Sequence, residues 1–271
     1  MRYLYVFIVL FIFRAEAQIS NFDERDFFKR VRDSYYCLSE ENVNNFTALV
    51  TNVSIEEFAK ELWNNAEIFP IQMIWFAPDR LFLSQQGVPT LPKDKYGEYQ
   101  QQISALNQQV KGILMDLQRF FFRGIYNSLH EDYQLSFDDD QTVVLSYVRG
   151  SGPQETDTKY YFGLNGMCIK IEMIYPSQNK RVITLPRFRA VKTKWLCTGW
   201  SIQTIDNDEV SGGYIISLKN KVVNDLWVPI NIQIEVQKSD RIGETFSDII
   251  KIRNYLFNQP IEYINKPKKG D

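Results

Sequence analysis

The chain has 271 residues, with 31 Lys and Arg against 33 Asp and Glu, a formal net charge of −2 and a single histidine. There is no basic excess to drive nucleic-acid or anionic-membrane binding. One histidine excludes a histidine-rich metal site, and a histidine-based catalytic triad would need rarer substitutes for its other parts.

The start, MRYLYVFIVLFIFRAEA, pairs a short basic opening at Arg2 with a continuous apolar run from Leu4 to Phe13. Ala15-Glu16-Ala17 is a small-x-small cleavage signal. The run is too short to span a bilayer, so residues 1–17 read as a secretory signal peptide. No cysteine follows closely enough to be a lipid-attachment site. A periplasmic or secreted location is the expectation. The rest reads as one domain, 18–265, with a charged tail at 266–271.

Asn21 to Leu38 reads as a first helix, capped by Asn21 or Asp23, with Phe27, Phe28, Val31, Tyr35 and Leu38 as its stripe. Asn44 to Val53 is a strand candidate. Ser54 followed by Glu57 fits a capping box opening a helix over Ile55 to Asn65. Ile71 to Phe76 and Leu81 to Gln85 are strands around the turn Ala77-Pro78-Asp79-Arg80, where proline and aspartate are good turn residues. Gly87 to Pro92 forms a loop.

The longest periodic stretch comes next, from about Glu98 to Leu129. Ile103, Leu106, Val110, Ile113, Leu117, Phe120, Phe121, Ile125 and Leu129 recur at helical steps, with Gln100, Gln101, Asn107, Gln108, Lys111 and Arg119 opposite. A helix with one apolar stripe must bury it against something.

From Asp132 the period switches to two. Tyr133–Phe137, Val143–Tyr147, Tyr160–Leu164, Met167–Tyr175, Val182–Phe188, Thr193–Ile205, Tyr214–Leu218 and Val228–Val236 all read as strands. Thr245 to Phe257 has enough apolar residues for a helix, but its β-formers and lack of a clean stripe favour a strand. Met167, Ile169, Ile171, Met173 and Tyr175 are expected on one face. About twelve strands with short turns demand antiparallel pairing. The expected class is therefore α+β: a large antiparallel sheet curved into an unclosed barrel, its concave face covered by helices, with 98–129 as the lid.

Little polar chemistry is visible. His130 reads as a helix-end or surface residue. Asp138-Asp139-Asp140 reads as a solvated turn, with calcium binding as the sharper alternative. Glu172, Glu235 and Asp248 alternate with apolar residues and are expected to point to solvent. No CxxC, Walker loop, GxGxxG or GxSxG is present. Cys37, Cys168 and Cys197 allow one disulfide plus a free thiol, or three buried thiols. Asn45-Phe46-Thr47 and Asn52-Val53-Ser54 match the glycosylation sequon. The expectation is a chain with no enzymatic activity, no cofactor and no metal.

The abundance of aromatics, including Trp63, Trp75, Trp195, Trp200 and Trp227, serves either a large core or a cavity for an apolar ligand. Met73, Met115, Met167 and Met173 add side chains that adapt to a variable ligand. The expected cavity lining is Trp75, Leu81, Leu83, Val110, Ile113, Leu114, Leu117, Phe121, Ile169, Ile171, Met173, Ile232 and Ile234.

The hairpin Ile74-Trp75-Phe76-Ala77-Pro78-Asp79-Arg80-Leu81-Phe82-Leu83, followed by Pro89, resembles the signature hairpin of LolA-type periplasmic lipoprotein carriers. The order of elements around it is similar as well. The resemblance implies an unclosed β-barrel with a helical lid and a hydrophobic cavity for acyl chains. The implied partners are a lipid or an acylated protein, with an envelope protein as a further class and no nucleic acid. Typical carriers have an arginine just before the turn proline that locks the lid to the sheet. Ala77 stands there instead, which leaves the lid held by hydrophobic burial alone. The competing expectation is an envelope interaction or structural protein with a filled core.

Overall fold

The computed structural model describes residues 22–63, 71–85, 93–139, 141–237 and 245–260. The signal peptide 1–17, the loop residues 86–92, Asp140, the tail 266–271 and the side chains of Ile103 and Leu106 lie outside the described residues.

Among the described residues three α-helices and twelve strands follow one another: α1 (Glu24–Asp33), β1 (Asn45–Asn52), α2 (Val53–Trp63), β2 (Ile71–Phe76), β3 (Arg80–Gln85), α3 (Lys93–Leu117), β4 (Gln134–Asp139), β5 (Thr142–Arg149), β6 (Thr156–Gly163), β7 (Cys168–Tyr175), β8 (Lys180–Val191), β9 (Lys194–Asp206), β10 (Glu209–Val223), β11 (Leu226–Gln237) and β12 (Thr245–Phe257). All twelve strands form one antiparallel sheet in the order β3-β2-β1-β12-β11-β10-β9-β8-β7-β6-β5-β4. β3 and β4 are its edges, so the sheet does not close into a barrel. The α+β half-barrel expected from the alternation is the architecture observed, and Thr245–Phe257 is a strand.

The inward residues line up in rows across the sheet. One row runs Leu145–Tyr160–Ile171–Thr184–Ile202–Tyr214–Val236, each paired with the next. Another runs Trp200–Ile216–Ile234–Asp248. These rows are the concave face. Its apolar members and those of the helices form one core cluster.

The lid differs from its expected bounds. It starts at Lys93 and is α-helical to Leu117, then widens into a π-helical turn over Gln118–Phe122. That wider turn sends three consecutive phenylalanines, Phe120, Phe121 and Phe122, into the core, all buried. Phe120 lies 5.4 Å from Trp200, Phe121 5.8 Å from Tyr36, and Phe122 5.0 Å from Phe46. Each such ring contributes about 1.5–3 kcal/mol by leaving water.

The first helix is shorter than expected. Asp23 caps it, accepting from the backbone N–H groups of Arg25 and Asp26 at 2.9 and 3.1 Å. Tyr35 falls past its end and becomes a strap with Tyr36. The Tyr35 hydroxyl donates to Gly166 O (2.9 Å) and accepts from Cys168 N (2.5 Å). The Tyr36 hydroxyl donates to Trp227 O and accepts from Trp227 N (2.8 Å). Two adjacent tyrosines thereby tie the N-terminal segment to the β6–β7 and β10–β11 hairpins.

Ile169 departs from the expected alternation. Tyr161 pairs with Lys170 and Phe162 with Cys168, so Ile169 is the extra residue of a β-bulge and is 41 % exposed. The bulge resets the register: Cys168 and Ile171, three apart, both turn inward and are buried. Gly199 marks a similar irregularity on β9. Its φ is +146°, and a Cβ there would lie 2.1 Å from Ile216 O, which Arg187 Nη2 also reaches at 2.7 Å.

Phe121→Asp or Ile113→Asp places a charge in this core and should lower unfolding free energy by about 4 kcal/mol or more, whereas Gln108→Asp, on the exposed side of α3, should change it by less than about 0.5 kcal/mol in urea titrations. Equal midpoints for the three variants would overturn the assigned face.

Candidate functional site: the concave face under the lid

Most of the expected lining residues meet under the second half of α3. Val110, Ile113, Leu114, Leu117 and Phe121 from the helix side, and Trp75, Ile171, Ile232 and Ile234 from the strands, are all buried in the same cluster. Leu81 and Leu83 on the edge strand β3 pack against it half-buried. Met173 faces inward from the rim, half-buried. Ile169 stands apart from them on its bulge, exposed. Around Val110–Ile125 the space between lid and sheet is thus occupied by side chains.

Coverage is uneven. At the rim formed by the ends of β7–β11, the inward residues Met173, Val182, Thr204, Ile202, Tyr214 and Val236 are half-buried rather than buried. The outer side of α3 over this half is open to solvent at Lys111, Gly112 and Met115. One corner of the apolar concave face is left partly uncovered.

Polar groups of the lid stand at that corner. Asp116 and Arg119, one helical turn apart, approach to 3.8 Å between Oδ1 and Nη1. That is an ion pair but too long for a hydrogen bond. Burial raises the Asp116 pKa, with Arg119 pulling the other way. For Arg119, burial works against the charge, but Tyr160 and then Asp116 leave its pKa raised. Its Nη1 atom is buried and has no hydrogen-bond partner among the described residues. Tyr147 and Cys168 are also neighbours that act on it. Next to this pair, the Tyr147 ring is covered by His130 (5.2 Å, stacked) and by the Arg149 guanidinium at 5.2 Å. His130 is therefore not a helix-end residue: it lies beyond the lid and accepts from Asp132 N at 3.1 Å.

The opposite rim is closed and tied. Gln118 Nε2 donates to Asp79 O at 2.5 Å, and Arg123 Nη1 lies 3.8 Å from Asp79 Oδ2. The turn Ala77-Pro78-Asp79 is held from the helix side, which corrects the expectation that burial alone keeps the lid down. The sequence signal was indirect: glutamine and arginine within an otherwise apolar segment.

Two of the three strand carboxylates also depart from expectation. Asp248 does not point to solvent. It is 5 % exposed on the concave face, where Oδ2 accepts from Asn52 Nδ2 (2.6 Å) and Oδ1 from Ser54 Oγ (2.9 Å). A carboxylate from a strand nearly two hundred residues away therefore fills the capping role assigned to Ser54 and Glu57, and sits at the positive end of α2. The same contact buries Asn52 to 3 % exposure, so a sugar on that sequon would break the Asp248 contact. Glu172 is outward but buried under Tyr161 (2.9 Å), Lys170 (3.8 Å) and Arg181 (3.5 Å). Glu235 is half-buried and accepts from Gln233.

The three cysteines are free and buried, and burial pushes the thiols of Cys168 and Cys197 up to about 12. Asp139 caps its own turn by accepting from Gln141 N. Among the described residues no group of three His, Cys, Asp or Glu is placed to hold a metal, and no helix is long and apolar enough to cross a membrane. A separate open groove of about 1270 Å³ runs between α1 and the segment after the lid, lined by Phe28, Tyr126 and Tyr133 with Arg25, Lys29 and Arg32.

Comparison with known proteins finds no matching family model, no matching curated protein and no matching solved structure.

A carboxylate whose pKa is raised in the fold binds its proton more tightly folded than unfolded. Its contribution is therefore largest at low pH and declines as pH rises from its ordinary 3.8 through the folded value. Asp116→Asn should remove that decline. The difference in unfolding free energy, variant minus wild type, should grow from pH 4 to pH 7, and a difference that is flat or shrinks over this range would contradict the assignment.

Proposed function

We propose that this chain is an exported carrier or sensor of acyl ligands, related at the level of fold to the LolA-type lipoprotein carriers. The observation that carries the reading is the unevenly covered concave face. A lid pinned at one rim leaves, at the other, a corner of half-buried apolar residues, from Met173 and Val182 to Tyr214 and Val236. An acyl chain entering there would replace lid contacts and exclude water, at about 25 cal/mol per Å² of apolar surface covered. The ligand is a lipid or the acyl group of a protein, and the location is the periplasm or the extracellular space. In this reading the protein works by binding, without catalysis, cofactor or nucleic acid.

A second reading, an envelope interaction protein, draws on the filled core between Val110 and Ile125 and on the two free sheet edges. On β3, Phe82 is exposed beside a strand edge that a partner strand could extend.

Uptake of dansyl-undecanoic acid, read as enhanced and blue-shifted emission, tests the carrier reading. Wild type should bind saturably. Val182→Asp and Ile202→Asp should weaken binding at least tenfold while the protein still unfolds cooperatively, and Leu185→Asp, on the convex side, should leave it unchanged. Absence of saturable uptake by wild type, or the same loss in all three variants, would favour the interaction protein.

A further inference from the structure

The lid carries a charged group that the hydrophobic reading does not use. The Arg119 guanidinium lies over the Phe120 ring at 6.0 Å, half-buried, and Tyr160, Tyr147 and Cys168 are near enough to act on its charge. A guanidinium has five donors, and a buried one left without acceptors is costly. Among the described residues Nη1 has no hydrogen-bond partner, and the carboxylate of Asp116 stands at 3.8 Å, beyond hydrogen-bond reach. The site is short of an acceptor. It adjoins the uncovered apolar corner: Phe120, next to Arg119, packs on Trp200 at 5.4 Å, and Trp200 and its partner Ile216 are one inward step along β9 and β10 from Ile202 and Tyr214. The apolar corner and a cation short of a hydrogen-bond acceptor are thus neighbours under the lid.

We infer that Arg119 binds the carboxylate head of a single-chain fatty acid whose tail lies along the half-buried corner of the concave face. This rests on the carrier reading and deepens it by naming the ligand class. A carboxylate supplies two coplanar acceptors that match the guanidinium fork. Asp116 already balances Arg119, so the pair is close to neutral. A monoanion adds one negative charge to this pair and a doubly charged phosphate adds two beside the Asp116 carboxylate, so of the two anions the monoanion is favoured. The rings of Tyr147 and Tyr160 stack on each other at 6.3 Å, and the Arg149 guanidinium over Tyr147 adds a positive charge there. Entry of the ligand breaks no covalent bond: its carboxylate takes the place that Asp116 holds only at ion-pair distance.

The test compares ligands that differ only in the head, on the full chain, by competition against dansyl-undecanoic acid. Wild type should bind palmitate at least tenfold more tightly than hexadecanol or methyl palmitate, and hexadecyl phosphate should bind more weakly than palmitate. Arg119→Gln should reduce that preference to within about twofold and leave hexadecanol affinity unchanged. Arg119→Lys should restore part of it. The wild-type comparison stands even if a variant fails to fold. Equal wild-type affinity for palmitate and hexadecanol overturns the head-group assignment and leaves the carrier reading standing. So does a preference that survives Arg119→Gln, while tighter binding of hexadecyl phosphate overturns the choice of carboxylate. Failure of every ligand and of the dansyl probe overturns both.

Discussion

An open sheet has two faces, and only one of them here is polar enough to meet water. The concave face is mostly apolar, with Thr184 and Asp248 as buried polar exceptions, and the sheet does not close on itself to hide it. The constraint on which the structure depends is therefore that something other than sheet must fill the trough. The π-helical turn at Gln118–Phe122 does most of this, because it drives three adjacent aromatic rings toward three different parts of the sheet. Phe120 covers the β9 side, Phe122 the β1–β2 side, and Phe121 closes against the Tyr36 strap between them. A plain α-helix would spread three consecutive side chains more widely around its axis and leave one facing out. The wider turn is the local departure from regularity that lets one short segment span the trough.

The polar ties follow from that filling. Burying the end of the lid brings backbone and side-chain polar groups out of water, and each must find a partner. Gln118 finds Asp79 O on the β2–β3 turn, and Arg123 finds the Asp79 carboxylate. Tyr35 and Tyr36 satisfy four backbone groups at hairpins on either side of the trough. Asp248 satisfies Asn52 and the start of α2. These contacts are modest singly, at about 1 kcal/mol each, but they fix register where apolar contacts alone would allow sliding. All but the Asp248 cap lie at the closed rim, and that asymmetry leaves the corner at Met173 and Tyr214 as the weakly covered part.

The strands were legible because one face of each is buried and the other is not, so period two is written into the sequence. Val228–Val236 and Thr245–Phe257 were recoverable for this reason, and the strand order followed from short turns. What could not be read is whatever depends on a distant partner. The bulge at Ile169 is invisible because Met167-Cys168-Ile169-Lys170-Ile171 alternates well in either register, and the inward choice of Cys168 is set by Phe162 across the ladder. Asp248 looked solvent-facing because a carboxylate between apolar residues usually is. Its burial depends on Asn52 and Ser54, nearly two hundred residues earlier. Of the expected lining, the helix positions and Ile232 and Ile234 could be placed by period alone, whereas the open corner at Val182, Ile202 and Tyr214 could not. Its residues differ from their buried neighbours only in what the helix fails to cover.

The way the lid is held also restricts how it can move. Its C-terminal end is fixed by three rings and by two contacts to Asp79, so displacement there would expose the largest apolar area in the trough. Its other end, at Lys93–Glu98, presents mostly exposed residues. On the carrier reading, opening costs least if the helix pivots about Gln118 and lifts from its more exposed start. Asp116 and Arg119 flank that pivot, two residues before it and one after it. A ligand that rewards this rotation can be admitted without dismantling the core. On that reading the ion pair, beside the pivot and near the uncovered corner, is where a modest contact has the largest effect on whether the trough is open.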